Sequence, residues 1–103
     1  TGVVVHDLST GAAFYHTSPA ANFTVNFTNV PTTDNRILTA TILISQGATP
    51  YIPTAVAIES ISQTVKVIAG AAIAGNANKI DVVSYSLIRT NGAWTVFAQS
   101  TFY

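Results

Sequence analysis

Two histidines, His6 and His16, are the residues whose type and spacing come nearest to a metal site. They flank the first predicted turn, residues 9–11, so their imidazoles can face each other across a hairpin, and imidazole is a common ligand of zinc and copper. A third ligand is missing, because alternation along the strand points Asp7 to the opposite face. We therefore interpret both histidines as polar strand residues and expect no bound metal ion.

Constellations of catalytic residues are missing as well. The nucleophilic serine of many hydrolases lies in a G-x-S-x-G turn, and this motif does not occur in the chain. There is no cysteine nucleophile, the four carboxylates are scattered rather than paired, and no glycine-rich segment has the G-K-[ST] ending of a phosphate-binding loop. The sequence predicts a protein that is not an enzyme and has no catalytic residues and no cofactor, with a hydrolase as a remote alternative.

Polar residues in two predicted loops offer oxygen atoms that calcium would accept as ligands. One pair is Asp34 with Asn35, and the other group is Asp81 with Asn76 and Asn78. Such side chains in loops usually bond to nearby backbone groups, which favours a structural role. Asp34 and Asn35 are kept as candidate binding residues because binding residues concentrate in exposed loops such as the one predicted at 31–35.

Tyr51 is the best candidate for an exposed contact. It lies between Pro50 and Pro53, which cannot donate to a strand ladder, so it belongs to a loop or to a sheet edge. An exposed tyrosine can stack on a sugar ring or pack on a neighbouring subunit, and the sequence leaves both alternatives open.

Charge is scarce in this chain: 8% of its residues are charged, with four basic and four acidic ones, against about 25% in typical soluble domains. No basic patch for nucleic acid can form, and no apolar run approaches the roughly 20 residues that span a bilayer. Thr, Ser, Asn and Gln supply 33 of the 103 residues. A neutral surface of this kind keeps copies apart poorly, so we expect part of it to be buried between copies; the alternative is an ordinary extracellular β-domain.

The elements that position these residues are predicted to be strands. Val, Ile and Thr account for 36 residues, and β-branched side chains favour strands over helices. Residues 22–29 alternate strictly, and residues 36–45 have the pattern of a central strand. Turn signals every 8 to 12 residues predict an all-β fold, an antiparallel β-sandwich of jelly-roll type with seven or eight strands, in which residues 1–103 form a single domain.

The strongest local signal is Asn91-Gly92, which predicts a two-residue type I′ hairpin. In the resulting register Thr90 faces Ala93, and Arg89 lies beside Trp94 with its cation over the indole ring. Shorter strands are expected at 55–59 and 63–68 and a loop at 70–78. The predicted core is the set of inward-facing side chains of these strands: Phe23, Val25, Phe27, Ile42, Val83, Tyr85, Leu87, Trp94 and Val96.

Four segments make the chain resemble a known module. They are HDLSTGAAFYHTSPAANFTVNFTN (6–29), NVPTTDNR (29–36), SQGATPYIPTAV (45–56) and GNANKIDVVSYSLIRTNGAWTV (75–96). The chain is similar along nearly its whole length to a β-rich module in structural proteins of tailed phages that infect marine cyanobacteria and related oceanic bacteria. The resemblance implies a virion-associated β-domain, commonly at the C-terminal end of a larger fibre-like protein, with no catalytic residues.

Composition and resemblance together predict a non-enzymatic structural module of a phage particle, in a fibre or on a capsid or tail surface. Its expected partners are other copies of itself, as a homo-oligomer and specifically a trimer, and other virion proteins. The alternative is a receptor-binding or glycan-binding tip of a phage fibre, with a host-surface glycan as the partner. The expected location is the extracellular virion.

Overall fold

The computed structural model describes residues 2–67 and 73–103, and these residues form nine strands and no helix. The strands are β1 (Gly2–Asp7), β2 (Ala13–Thr17), β3 (Phe23–Thr28), β4 (Ile37–Ser45), β5 (Pro53–Ile58), β6 (Ile61–Gln63), β7 (Val65–Val67), β8 (Ile80–Thr90) and β9 (Ala93–Phe102). The all-β prediction is confirmed, with nine strands instead of seven or eight. Correspondingly, no helix in the described part of the chain is long and apolar enough to cross a membrane.

The strands make two sheets that face each other across one core. The four-stranded sheet has the order β1-β3-β5-β6, and the five-stranded sheet has the order β2-β4-β8-β9-β7. Both sheets are mixed: β1, β3 and β5 are parallel neighbours, as are β2 with β4 and β7 with β9, whereas the other pairs are antiparallel. The expectation of an antiparallel jelly roll therefore does not describe these sheets.

The parallel pairs have a simple cause. From β1 to β5 the chain alternates between the two sheets, so every second strand returns to the same sheet in the same direction. The result is a two-layer coil, and we call its first turn, made of β1 and β2, the first rung. The expected hairpin between the segments on either side of residues 9–11 is wrong, because this turn carries the chain from one sheet to the other.

The turn after β1 is held by the carboxylate of Asp7. Its Oδ1 accepts hydrogen bonds from the Ser9 backbone N–H at 2.8 Å, the Ser9 hydroxyl at 2.6 Å and the Asn29 amide at 2.9 Å. These bonds lower the pKa of Asp7, with the Ser9 hydroxyl as the largest cause. Polar turn residues suit a hairpin within one sheet and a connection between two sheets equally well. The sequence pattern therefore did not distinguish the two kinds of connection.

The β8–β9 hairpin has the predicted register. Thr90 pairs with Ala93 and Arg89 with Trp94, and the turn residues Asn91 and Gly92 have φ of 50° and 77°. The guanidinium of Arg89 does not close over the indole; instead it donates to the Thr32 carbonyl and lies 3.4 Å from Asp34. The carbonyl and carboxylate of the 31–35 loop offer the cation stronger partners than a ring face does.

The core lies between the sheets and contains the predicted residues with one exception. Trp94 is only partly buried and packs on the margin of the core. The buried hydrophobic residues are Phe23, Val25, Phe27, Val30, Ala40, Ile42, Ile44, Val56, Ala57, Ile58, Val83, Tyr85, Leu87, Val96 and Ala98. The rings of Phe27 and Tyr85 meet edge to face with centroids 5.5 Å apart, and burial raises the pKa of the Tyr85 hydroxyl.

The shorter elements also depart from expectation at points that the chain explains. The segment predicted as one strand at 63–68 breaks at Thr64, so that β6 joins one sheet and β7 the other. The predicted loop at 70–78 lies partly outside the described residues, and its described part, 73–78, is irregular. Pro53 begins β5 and is followed by an irregular register against β3, a position where a missing N–H is tolerated.

Candidate functional site

The outer face of the five-stranded sheet carries almost no charge, and we call it the uncharged face. Side chains alternate along each strand, and the register between strands aligns their outward positions. They come from β2 (Ala13, Tyr15, Thr17), β4 (Ile37, Thr39, Thr41, Leu43, Ser45), β8 (Ile80, Val82, Ser84, Ser86, Ile88, Thr90), β9 (Ala93, Thr95, Phe97, Gln99, Thr101) and β7 (Lys66). Lys66 is the charged residue in this set.

Large apolar side chains are exposed on this face. Tyr15 is 63% exposed, Ile37 66% and Phe97 47%. Between them lies a band of hydroxyl and amide groups, since Thr41 pairs with Ser84 and Ser84 pairs with Gln99 across three strands. The face thus offers apolar contact area and neutral hydrogen-bonding groups with little charge to desolvate.

A shallow groove crosses the middle of the uncharged face. Its larger part is a cavity of about 320 Å³ lined by Lys66, Ser84, Ser86, Phe97 and Gln99, together with Val67 and Ala98. A smaller cavity of about 160 Å³ adjoins it at Ser84 and Gln99. The groove can hold a small polar molecule against one aromatic ring, with Lys66 at its margin.

Most of the charged residues lie in loops or at strand ends. Asp34 and Arg89 meet beside the β8–β9 turn, Glu59 lies in the turn after β5, and Lys79 precedes β8. This placement leaves the uncharged face free of carboxylates.

His6 and His16 meet inside the first rung, with their Nε2 atoms 2.8 Å apart. His6 is 1% exposed and His16 is partly exposed. The His6 ring lies edge-on to Phe14, with centroids 4.8 Å apart, and the His16 ring lies 5.5 Å from Phe23. The sequence placed these histidines opposite each other, but across a hairpin; in the structure they face each other across the two sheets.

The hydrogen bonds assign the protons of this pair. The Nδ1 of His6 lies 3.0 Å from the Val4 carbonyl, which can only accept, so Nδ1 carries the proton and Nε2 accepts one from His16. Burial lowers the pKa of both imidazoles, and for His6 this outweighs the opposing effect of the Val4 carbonyl. Two neutral rings sharing one hydrogen bond therefore join the layers.

Among the described residues, no third side chain of a metal-ligating type joins the histidine pair. In residues 2–67 and 73–103, no three His, Asp or Glu side chains come together as metal ligands. The geometry shows a polar contact between two rings that pack against Phe14 and Phe23.

The predicted binding residues do not form one site. Asp34 accepts hydrogen bonds from Arg89 and from the Gly92 N–H, and Asn35 has the left-handed φ of 62°. Tyr51 lies near the opposite end of β8, about 26 Å away by strand length, and is partly buried. Asp34 and Asn35 thus belong to a loop that is bonded to the β8–β9 hairpin, whereas Tyr51 belongs to a loop at the other end of the molecule.

A buried polar network fixes the loops near Tyr51. The carboxylate of Asp81, 0% exposed, accepts hydrogen bonds from the Gln46 amide at 2.8 Å, the Asn76 N–H at 2.9 Å and the Asn76 amide at 2.7 Å. The Gln46 amide group also bonds both backbone groups of Tyr51. Sequence reasoning grouped Asp81 with Asn76 but missed Gln46, whose only signal was a long polar side chain directly after a strand.

Comparison with protein-family models found no match to this chain, and searches of curated proteins and of solved structures found none either.

Proposed function

We propose that this chain is a non-enzymatic structural module of a phage particle that assembles by burying the uncharged face between copies. The observation that carries the proposal is the composition of that face, on which Lys66 is the charged residue in an otherwise neutral sheet surface. The phage assignment rests on the sequence resemblance, which covers nearly the whole chain.

The energetics favour association through this face. Taking a charged side chain out of water costs several kcal/mol unless it finds a partner, whereas hydroxyl and amide groups can exchange water for one another. Burying Tyr15, Ile37 and Phe97, which are exposed in the single chain, adds a hydrophobic gain. Each copy brings one charged side chain, that of Lys66, to this face, so little like-charge repulsion opposes the contact.

The size of the uncharged face fits a specific interface. Five strands at a spacing of about 4.8 Å, with about 30 Å for the nine residues of β4, give roughly 600 Å² of planar area per copy. Standard interfaces bury about 800 Å² of accessible surface per partner, and the accessible area of a textured face exceeds its planar area.

Sedimentation velocity of the wild-type chain over a range of micromolar concentrations tests this proposal. We expect a mass above that of one copy, and a mass of three copies would support the predicted trimer. Thr41→Lys, in the middle of the uncharged face, should shift the protein towards monomer. The matched control is Thr24→Lys, an equally half-buried threonine on the outer face of the other sheet, which should leave assembly unchanged. A monomeric wild-type chain would refute the proposal.

A second candidate function, saccharide binding, is supported by the groove on the same face. Phe97 offers a ring for stacking, and Ser84, Ser86 and Gln99 offer neutral hydrogen-bonding groups of the kind that sugars use. A glycan array with wild-type protein and Phe97→Ala tests it: specific signals that disappear in the variant would favour a receptor-binding role over assembly through this face. No signal with the wild-type protein would remove this candidate.

A further inference from the structure

We propose that the first rung is a second self-association site, at which β1 and β2 of one copy pair edge to edge with the same two strands of another copy. This inference rests on the proposed assembly function and adds the free backbone edges of β1 and β2, which meet the uncharged face at the outward side chains of β2. The juxtaposition that suggests it is that β1 and β2 are both terminal strands of their sheets.

Both strands leave backbone groups for a partner, and the turn hydrogen bonds show which ones. The Leu8 N–H donates to the Thr28 carbonyl, so the even-numbered residues of β1 bond to β3. Because backbone groups alternate along a strand, the N–H and C=O groups of Val3 and Val5 point to the free side.

The hydrogen bonds of β2 show its free side in the same way. The Ala12 carbonyl accepts from the Thr41 N–H, and the Ser18 N–H donates to the Ser45 carbonyl, so even-numbered residues bond to β4. Tyr15 and its neighbours two positions away, Ala13 and Thr17, therefore point their backbone groups to the free side. Within the described residues no strand lies beyond either edge.

This edge has none of the features that prevent strand pairing. Proteins usually protect an edge with lysine, proline, a bulge or a very short strand. Neither β1 nor β2 contains lysine or proline, and both have an uninterrupted register with their neighbours. At the opposite side of the molecule, β6 and β7 have three residues each, and β7 carries Lys66.

The side chains at the free edge favour the same partner. The exposed fraction is 65% for Val3, 61% for Val5 and 63% for Tyr15. In each of these residues the backbone N–H and C=O groups also point to the free side of the strand. Pairing would cover these apolar groups as it satisfies the backbone. Asp7 is the charged residue of the rung, and it lies at the end of β1, bonded to the turn.

A second copy fits this edge because both strands must be matched at once. A two-fold axis perpendicular to the sheets places β1 beside its own copy and β2 beside its own copy, antiparallel in both layers. The His6–His16 contact holds the two strands at a set separation, so two copies present edges of equal spacing.

Hydrogen exchange on the wild-type protein tests the edge directly. We expect amide exchange in the assembled protein to be at least about tenfold slower than in a dilute monomeric sample at four residues: Val3, Val5, Tyr15 and Thr17. The even-numbered amides, such as Val4 and His16, are bonded within the copy and should change less. An assembled protein whose odd-numbered amides stay unprotected would overturn the edge inference and leave the proposed function intact, whereas a protein that never assembles overturns both.

Val5→Pro provides a second test, because it removes one outward N–H for which the described residues offer no partner. We expect it to lower the sedimenting mass, while Val5→Thr, which keeps the N–H, should assemble more fully. Tyr15→Lys places a charge on the other strand of the rung and should also weaken assembly; because its side chain belongs to the uncharged face as well, Val5→Pro is the variant that separates the two surfaces. Wild-type mass in both Val5→Pro and Tyr15→Lys, with unchanged circular dichroism, would exclude pairing at this edge.

Discussion

His6 and His16 join the two sheets through an Nε2-to-Nε2 hydrogen bond of 2.8 Å in the first rung. One ring is anchored further by its Nδ1 bond to the Val4 carbonyl, and the aromatic rings around the pair exclude much of the water. The geometry requires each Nε2 to keep one role, donor or acceptor. A second proton on the pair would place two N–H groups against each other.

Stability should therefore decrease as the pH falls. Burial lowers the pKa of both histidines below the ordinary value of 6.5, so the unfolded chain binds protons before the folded chain does. The stabilisation is complete above about pH 6.5 and is lost as the pH falls through the lower pKa values of the folded state. Thermal melts from pH 8 to pH 5, on samples held monomeric by dilution, measure the effect.

His16→Gln is the control for the pH prediction, because glutamine can still bond to His6 but does not titrate in this range. It should have a shallower decrease of the melting temperature between pH 7 and pH 5. An equal melting temperature for the wild-type protein at these two pH values would contradict the assignment of the pair.

Two phenylalanines give a matched test of the core. Phe27 is 0% exposed between the sheets, and Phe97 is 47% exposed on the uncharged face. Phe27→Ala should destabilise the monomer by about 3 to 5 kcal/mol, because it removes packing and leaves a cavity. Phe97→Ala should cost under about 1 kcal/mol. Urea unfolding followed by circular dichroism measures both, and similar costs for the two variants would be inconsistent with this core.

Gln46→Ala should destabilise the folded chain by about 1 to 3 kcal/mol. The substitution takes one donor from the buried Asp81 carboxylate and two hydrogen bonds from the Tyr51 backbone. Gln63→Ala, in which the lost bond is local and exposed, is the control and should cost a few tenths of a kcal/mol. Chemical unfolding compares the pair, and a neutral Gln46→Ala would argue against the network.

Gly75 and Gly47 differ in the space that a methyl group would meet. A Cβ on Gly75 would lie 2.8 Å from the Cβ of Pro50, whereas on Gly47 its nearest neighbour would be the Ser18 hydroxyl oxygen at 3.6 Å. Gly75→Ala should cost about 1 to 3 kcal/mol through overpacking between two loops. Gly47→Ala should be nearly neutral. Melting temperatures of the two variants decide, and equal values would count against the close approach of the loops.

Local signals predicted the parts of the fold that depend on neighbours in the chain. Asn91-Gly92 requires positive φ at two successive residues, so the hairpin and its register followed from the sequence. The alternation over Phe23, Val25 and Phe27 gave the buried face of β3 for the same reason. Trp94 was placed in the core because its strand face is apolar, but it lies next to the turn, where the sheet ends.

The pairing of distant strands was not available from local patterns. The turn after Asp7 has the same polar composition whether the chain turns back in one sheet or crosses to the other. Gly2 pairs with Phe23, 21 positions away, and no feature of either residue specifies the other. The sequence predicted that His6 and His16 lie close together, but it placed them in one hairpin instead of in two facing sheets. The free edge of the first rung could not be predicted, because it depends on the order of the strands in each sheet.

The two-layer coil also determines the order in which this chain can fold. Residues of β8 and β9 meet across a two-residue turn, a contact that forms within microseconds in isolated hairpins. The strands of the coil must instead close loops of about 20 residues or more before any contact between them is made, and such non-local pairing is slow. We expect the C-terminal hairpin to act as the template and the N-terminal strands to dock last, a sequence of events that pulse-labelled amide exchange during refolding would resolve. In a newly made chain, β1 and β2, whose free edges can pair with another copy, would then stay exposed for longest.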